Sequence, residues 1–203
     1  AEIVRAEGRT CVLLSGDIRD RDWCRDLVAQ AVEGLGGLDI LVNNAAHQVY
    51  HQTFDELDEA DLDRTITTNL YAMFWITREA LPHLPAGATI INSTSVQGYN
   101  PSPMIINYAS TKFAIIGFTK ALAHDLAPRG IRVNAVAPGP VWTPLQVSDG
   151  QPAEKLNGFG ESSWLGRTSQ PVEQAPAYVF LASPESSFVV GEVINVNGGA
   201  NVP

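Results

Sequence analysis

The stretch NYASTK (107–112) places a tyrosine, Tyr108, four residues before a lysine, Lys112. On a helix that spacing puts both side chains on one face. An unperturbed phenol titrates near pH ~10, too high for proton transfer at neutral pH. An ammonium beside it favours the phenolate and draws the pKa toward the working range, so the pair has the makings of a general acid/base. The same spacing also occurs between ordinary neighbours on a helix surface, and alone it decides nothing. Asn69, in TTNLYAMF, falls inside a long helical pattern, where asparagine is disfavoured. An exposed or locally bonded side chain is the simpler explanation for it. His47, His51, His83 and His124 have no ligand spacing, and Cys11 and Cys24 are an isolated pair. No metal is expected, and both cysteines read as reduced, packed side chains.

The elements that must carry these residues alternate. TCVLLSGD (10–17) reads as a buried strand, and 20–37 as a helix with Trp23, Leu27, Ala31 and Leu35 on one face, closed by glycines. LDILVNNAA (38–46) is a second strand. A long helix follows from about 58, with Leu62, Ile66, Leu70, Met73 and Phe74 among its apolar positions. ATIINSTS (88–95) is a strand, 107–130 a helix ended by Pro128 and Gly130, and IRVNAVAPG (131–139) a strand. An irregular Gly/Pro-rich stretch runs to about 170, followed by a helix near 171–182 and a last strand at 192–199. Continuous apolar strands between helices call for a parallel sheet covered on both faces, an α/β, Rossmann-like doubly wound fold in a single domain. Ligands on such sheets bind beyond the carboxyl ends of the strands. Here those ends read SGD, NNAA, STS and APG, small and polar residues that could equally be plain turns.

With 203 residues, 45% apolar and 17% charged, the chain can bury a large core. Its net charge of −9 leaves no basic stripe for a nucleic acid. No apolar run reaches membrane-spanning length and no signal peptide is visible, so a cytoplasmic protein is expected.

Taken in order, NNAA, STS, YASTK and PGPVWT make the sequence resemble the classical short-chain dehydrogenases/reductases over essentially its whole length. Ser95 lies thirteen positions before Tyr108, and Tyr108 four before Lys112, as in that family. TSVQGYNPSP, APGPVWTPLQ, GQPAEK and FLASPES look like a narrower group, the NADP-preferring aldehyde reductases and glucose/ribitol-dehydrogenase-like general stress proteins. The resemblance implies hydride transfer between NAD(P)(H), with NADP favoured over NAD, and a small carbonyl or alcohol substrate: an aldehyde, ketone, sugar or polyol. It makes Tyr108 the acid/base and gives Lys112 two tasks, tuning Tyr108 and holding the nicotinamide ribose. Ser95 would hold the substrate oxygen, while Ser93 and Thr94 read as turn or packing residues. Asn69 becomes a fourth catalytic member whose backbone carbonyl holds a water in a relay to Lys112.

For the cofactor, the family pattern places Asp17 and Ile18 at the adenine, and Asn44, Ala45 and Ala46 along the adenosine ribose. Val141 and Thr143 fall at the carboxamide, and Pro138 and Gly139 set the turn that aims this loop, although Gly139 could simply end its strand. NNAA stands where NNAG is commoner, a tolerated change because Ala46 is still small. The irregular stretch at about 144–170 would be a substrate lid flanked by Trp142 and Trp164, which could line a pocket or merely pack. Family members are commonly tetramers, joined through the long helices (about 58–83 and 107–127) and the C-terminal strand.

The opening AEIVRAEG carries helix-like spacing and a closing glycine, Gly8, but no cap at its start. The family's glycine-rich turn from a first strand onto a helix N-terminus, where pyrophosphate binds, has no match: EGLGGLD (33–39) follows a helix, and NGFGESSWLG (157–166) lies in the lid. The expectation is therefore an N-terminally truncated sheet and a partial sequence of a longer protein. In the family order 3-2-1-4-5-6-7, strand 10–17 would lack its partner and DILVNNA would be an exposed apolar edge. The alternative is a non-catalytic, oligomerising subunit that cannot bind cofactor.

Overall fold

The computed structural model describes residues 1–200. Residues 201–203, the end of the C-terminal stretch expected at an interface, lie outside the described residues. A short helix, α1 (Glu2–Ala6), opens the chain and Gly8 follows it with φ +70°, as its spacing suggested. Asp20 starts α2 (Arg21–Leu35), its carboxylate accepting from the backbone N–H of Asp22 at 2.8 Å and Trp23 at 3.3 Å. Gly36 ends α2 at φ +81°, a left-handed position that costs glycine little. The residues that α2 buries most deeply are Cys24 and Val28, not the line through Trp23 and Leu35; Leu35 is exposed.

Four parallel strands form the sheet: β1 (Ile40–Asn43), β2 (Thr89–Ser93), β3 (Arg132–Pro138) and β4 (Val193–Val196), in spatial order β1-β2-β3-β4. Ile90 lies opposite Val133 and Ser93 opposite Val136. Alternation along the strands then sorts the core into two layers. Ile90 and Val133 pack with Val28, Ala80, Ala123 and Leu126 of the helices on one face. Ile91 and Val136 pack with Leu181 of α6 (Pro171–Ala182) on the other. This is the doubly wound pattern.

On the first face, α3 (Glu59–Ile66) runs through a π-type turn, Thr67–Tyr71, into α4 (Ala72–Ala80). Beside it lies α5 (Ile106–Leu126), followed by a turn that holds Pro128 and ends at Gly130. On the second face, Glu173 accepts the Gln170 N–H at 2.8 Å and starts α6. Arg132 of β3 closes its other end, donating to the Leu181 carbonyl at 3.0 Å and the Ser186 hydroxyl at 2.7 Å. A cation at those last carbonyls also complements the helix dipole.

The expected strand at 10–17 does not form. Residues 11–17 have no strand pairing, and Leu13 is 71% exposed. The segment leans on α2 instead, with Val12 against Gly34 and the Trp23 ring over Gly16. Apolar side chains alone do not make a strand; its backbone needs a ladder partner, and among the described residues none lies alongside. β1 is accordingly an edge, with Ile40 and Val42 half exposed, which matches the reading of DILVNNA as an exposed apolar edge.

Candidate active site

A cavity of about 870 Å³ opens at the carboxyl ends of the strands, within the ~300–1,000 Å³ of small-molecule and cofactor sites. Nearly every residue singled out from the sequence lines it. Asn44, Ala45 and Ala46 follow β1, Ser95 follows β2, Tyr108 and Lys112 face in from α5, and Pro138, Gly139, Val141 and Thr143 follow β3. Asp17, Ile18 and Asn69 are not among the lining residues. The Asp17 carboxylate is instead held by Arg19, at 2.6 Å from its guanidinium, and this bond pulls its pKa down to about 2.

Tyr108 and Lys112 are both almost fully buried. The Lys112 ammonium lies over the Tyr108 ring, 5.3 Å from its centroid, and donates to the Ser93 carbonyl at 2.8 Å. Thr94 fixes the same turn of α5 by donating to the Lys112 carbonyl at 2.6 Å, the packing role foreseen for it. The electrostatic expectation needs correcting. Burial pushes the Tyr108 phenol up to about 12, with the hydrogen bond to Ser95 pulling the other way and the neighbouring Tyr178 adding to the rise. Burial also lowers Lys112, to about 8. Desolvation outweighs any pull of the ammonium on the phenol, so near neutral pH the site holds a protonated phenol beside a mostly charged ammonium. Such a phenol is set to give a proton.

Ser93 is more than a turn residue. Its hydroxyl donates to Asn44 Oδ1 at 2.9 Å and lies 2.7 Å from the Tyr178 hydroxyl, which must then be the donor to Ser93. Burial raises the Tyr178 phenol too, in keeping with a donor. Tyr178 was missed in the sequence because α6 shows only an apolar pattern there, and the contact spans 85 positions.

Asn69 is 2% exposed and sits in the π-type turn between α3 and α4. Neither simple explanation holds: its amide exchanges two hydrogen bonds with the backbone of His47, at 2.7 Å and 2.9 Å, and donates to Thr111 of α5 at 3.1 Å. Turns of the π type break the regular ladder and often sit at functional sites. Here the turn lets a helix side chain grip both the loop after β1 and the helix that carries Tyr108 and Lys112.

The stretch 144–170 folds over the cavity with little regular structure. Leu145, Gln146, Gln151 and Phe159 line it, whereas Trp142 and Trp164 do not, and Trp164 is 82% exposed with its ring against Gly199. Besides Tyr108, the aromatic residues that face the cavity are Phe159 and Tyr178. Backbone bonds from Trp142 to Ser169 at 2.9 Å and from Ser169 to Pro140 at 2.9 Å close the base of the stretch.

Small residues at Ala45, Ala46 and Gly139, with Lys112 the one charged side chain in the lining among the described residues, suit the ribose and flat ring of a nicotinamide nucleotide. For the pyrophosphate, no glycine-rich turn opens a helix among the described residues. The residues present thus fit one half of a dinucleotide. Among the described residues no group of three or more His, Cys, Asp or Glu could hold a metal, and no helix is long and apolar enough to cross a membrane.

Comparisons with known proteins agree with the geometry. A family model described as enoyl-(acyl carrier protein) reductase matches residues 1–201. An uncharacterized oxidoreductase of Bacillus subtilis is 50% identical over 201 residues, covering 98% of this chain and 67% of the relative. The chloroplastic NADPH-dependent aldehyde reductase 1 of Arabidopsis thaliana is 42% identical over 202 residues, covering 99% of this chain and 70% of the relative. Among solved structures, a short chain dehydrogenase from Burkholderia cenocepacia in complex with NADP superposes with a TM-score of 0.90 at 31% identity. That superposition covers 99% of this chain and 81% of the other. The chain thus spans about two thirds of the length of these curated relatives.

Proposed function

Because the chain belongs to the short-chain dehydrogenase/reductase family, we propose that its cavity interconverts a small carbonyl compound and its alcohol, using NADP in preference to NAD. The observation that carries this reading is the convergence of Ser95, Tyr108 and Lys112 on one cavity, with the Lys112 ammonium against the Tyr108 ring. When bound, the reduced nicotinamide supplies a hydride to the carbonyl carbon. Ser95 holds the carbonyl oxygen and lowers the cost of the charge growing on it. Tyr108 gives that oxygen its proton, and the Lys112 ammonium, already seated at the ring, stabilises the phenolate left behind. Asn44, Ala45 and Ala46 line the ribose side, and Val141 and Thr143 the carboxamide side. Asn69 completes the tetrad, its backbone carbonyl holding a water in a relay to Lys112.

An aldehyde, ketone, sugar or polyol is the substrate class. Gln48, Gln97, Gln146, Gln151 and Gln174 line the cavity, and among the described residues no carboxylate or guanidinium does. Such a lining hydrogen-bonds neutral polar groups and offers a second anionic group nothing to pair with. The protein acts in the cytoplasm as a homotetramer; Tyr71 and Phe74 on one long helical stretch and Phe113 on α5 are exposed apolar side chains available to such contacts. The test is a fluorescence titration with NADPH and NADH, followed by consumption of each against a panel of aldehydes, ketones and sugars. Saturable binding with carbonyl-dependent oxidation is expected; folded protein that shows neither would overturn the reading.

A further inference from the structure

Gln48 stands two residues beyond Ala46, buried, and its amide Nε2 donates to the carbonyl of Gly150 at 2.6 Å, across 102 positions of chain. Gly150 closes a single π-type turn of the lid, Gln146–Gly150. The fit is close: a Cβ added to Gly150 would fall 2.2 Å from the Leu145 carbonyl oxygen and 3.3 Å from the Gln48 amide nitrogen. Behind Gln48, the backbone of His47 is the segment that Asn69 grips, and Asn69 in turn donates to Thr111, the residue before Lys112. Hydrogen bonds therefore run from the helix carrying Tyr108 and Lys112, through Asn69 and His47, and out through Gln48 to the lid. A second contact joins the same parts, with the Lys155 ammonium over the Tyr50 ring at 5.2 Å.

At the other end of that turn, Gln146 lines the cavity, and its Oε1 is buried with no hydrogen-bond partner among the described residues. A buried acceptor left unpaired is costly, so its partner is a donor that enters the cavity. We propose that Gln146 is a specificity-determining residue that accepts a hydrogen bond from a substrate hydroxyl beyond the reacting carbonyl. Gln48 is the positioning residue that holds the lid turn where Gln146 can do so. The assignment of Gln146 rests on the oxidoreductase reading above; that of Gln48 rests on the lid contact itself.

The test compares glyceraldehyde with propanal, which has the same carbon chain and no hydroxyls. Gln146→Leu should lower the ratio of their kcat/KM values by about tenfold or more, because a site built to pair a hydroxyl discriminates by that pairing. Gln48→Leu should lower the same ratio and, with no substrate present, speed trypsin cleavage after Lys155. Gly150→Ala, whose added Cβ displaces the same turn, should reproduce both effects. An unchanged ratio in Gln146→Leu overturns the specificity role. An unchanged cleavage rate in both Gln48→Leu and Gly150→Ala overturns the latch. If the wild-type protein reduced no carbonyl at all, the assignment of Gln146 would fall with the oxidoreductase reading, and the cleavage rates would still decide Gln48.

Discussion

TCVLLSGD and ATIINSTS look alike on paper: each is a short apolar run that ends in small polar residues. In the folded chain they part company. The second becomes β2, buried along its whole length between β1 and β3. The first stays unpaired and largely exposed against α2. Their polar ends differ in the same way. Asp17 is satisfied by Arg19 two residues on, in solvent. Ser93 is satisfied by Asn44, Lys112 and Tyr178, from 19 to 85 positions away and mostly shielded from water. An exposed local pair adds little to stability. Buried long-range bonds hold separate elements in one geometry, and only there does a site with fixed angles and shifted proton affinities appear.

Substitutions should follow that divide. Apart from loss of the Tyr108 hydroxyl itself, the largest loss is expected from Lys112→Met, which removes the ammonium at the Tyr108 ring and strips the Ser93 carbonyl of its donor; turnover should fall by about 10²–10⁴-fold, read as steady-state NADPH oxidation. Asn69→Ala comes next. It removes the two bonds from the Asn69 amide to the His47 backbone, and the midpoint of urea unfolding should report a loss of ~2–4 kcal/mol. A loss indistinguishable from zero would make the π-type turn incidental.

Acidity offers a finer probe. Lys112 titrates at about 8, so carbonyl reduction should decline as pH rises through that value, while Tyr108 keeps its proton to about 12. Stability should respond with the opposite sign. The folded lysine titrates below its ordinary 10.5, so between about 8 and 10.5 the unfolded chain binds more protons and raising pH favours the folded state. Cys24, raised from 9 to about 11, opposes this from about pH 9, and Tyr108, raised from 10, from about pH 10 up to about 12. Between pH 8 and 9, then, Lys112 should lower activity and raise stability together. A Lys112→Met protein should lose this rise in stability, measured by denaturant titration across the window. The smallest effect belongs to the N-terminal segment. Leu13→Ser, at an exposed position without a ladder partner, should change stability by no more than ~0.5 kcal/mol. A larger cost would show that residues 10–17 are packed after all.

What could be read in advance follows the same line. The helices α2, α5 and α6 and the strands β2 and β3 were legible because periodicity and turn residues are local signals. The place of the cavity was legible because the strands' carboxyl ends must meet there, and its individual residues were named by the resemblance to the family's motifs. The fate of 10–17 was not, since a run of apolar residues cannot say whether a neighbouring strand is there to pair with it. Nor was the direction of the Tyr108 shift: spacing brings Lys112 to the ring, but burial, a property of the whole packed site, decides the sign. Tyr178, Gln48 and the grip of Asn69 on His47 were hidden because their partners are distant in sequence and their residue types are ordinary.

The most direct test of the central claim is Tyr108→Phe, measured by NADPH titration and carbonyl-dependent NADPH oxidation on the same preparation. The phenyl ring keeps its place over the ammonium and loses only the hydroxyl, so cofactor affinity close to wild type with turnover reduced to background is the expected result. Turnover within tenfold of wild type, at unchanged affinity, would mean that the proton comes from elsewhere and would remove Tyr108 from the centre of the site.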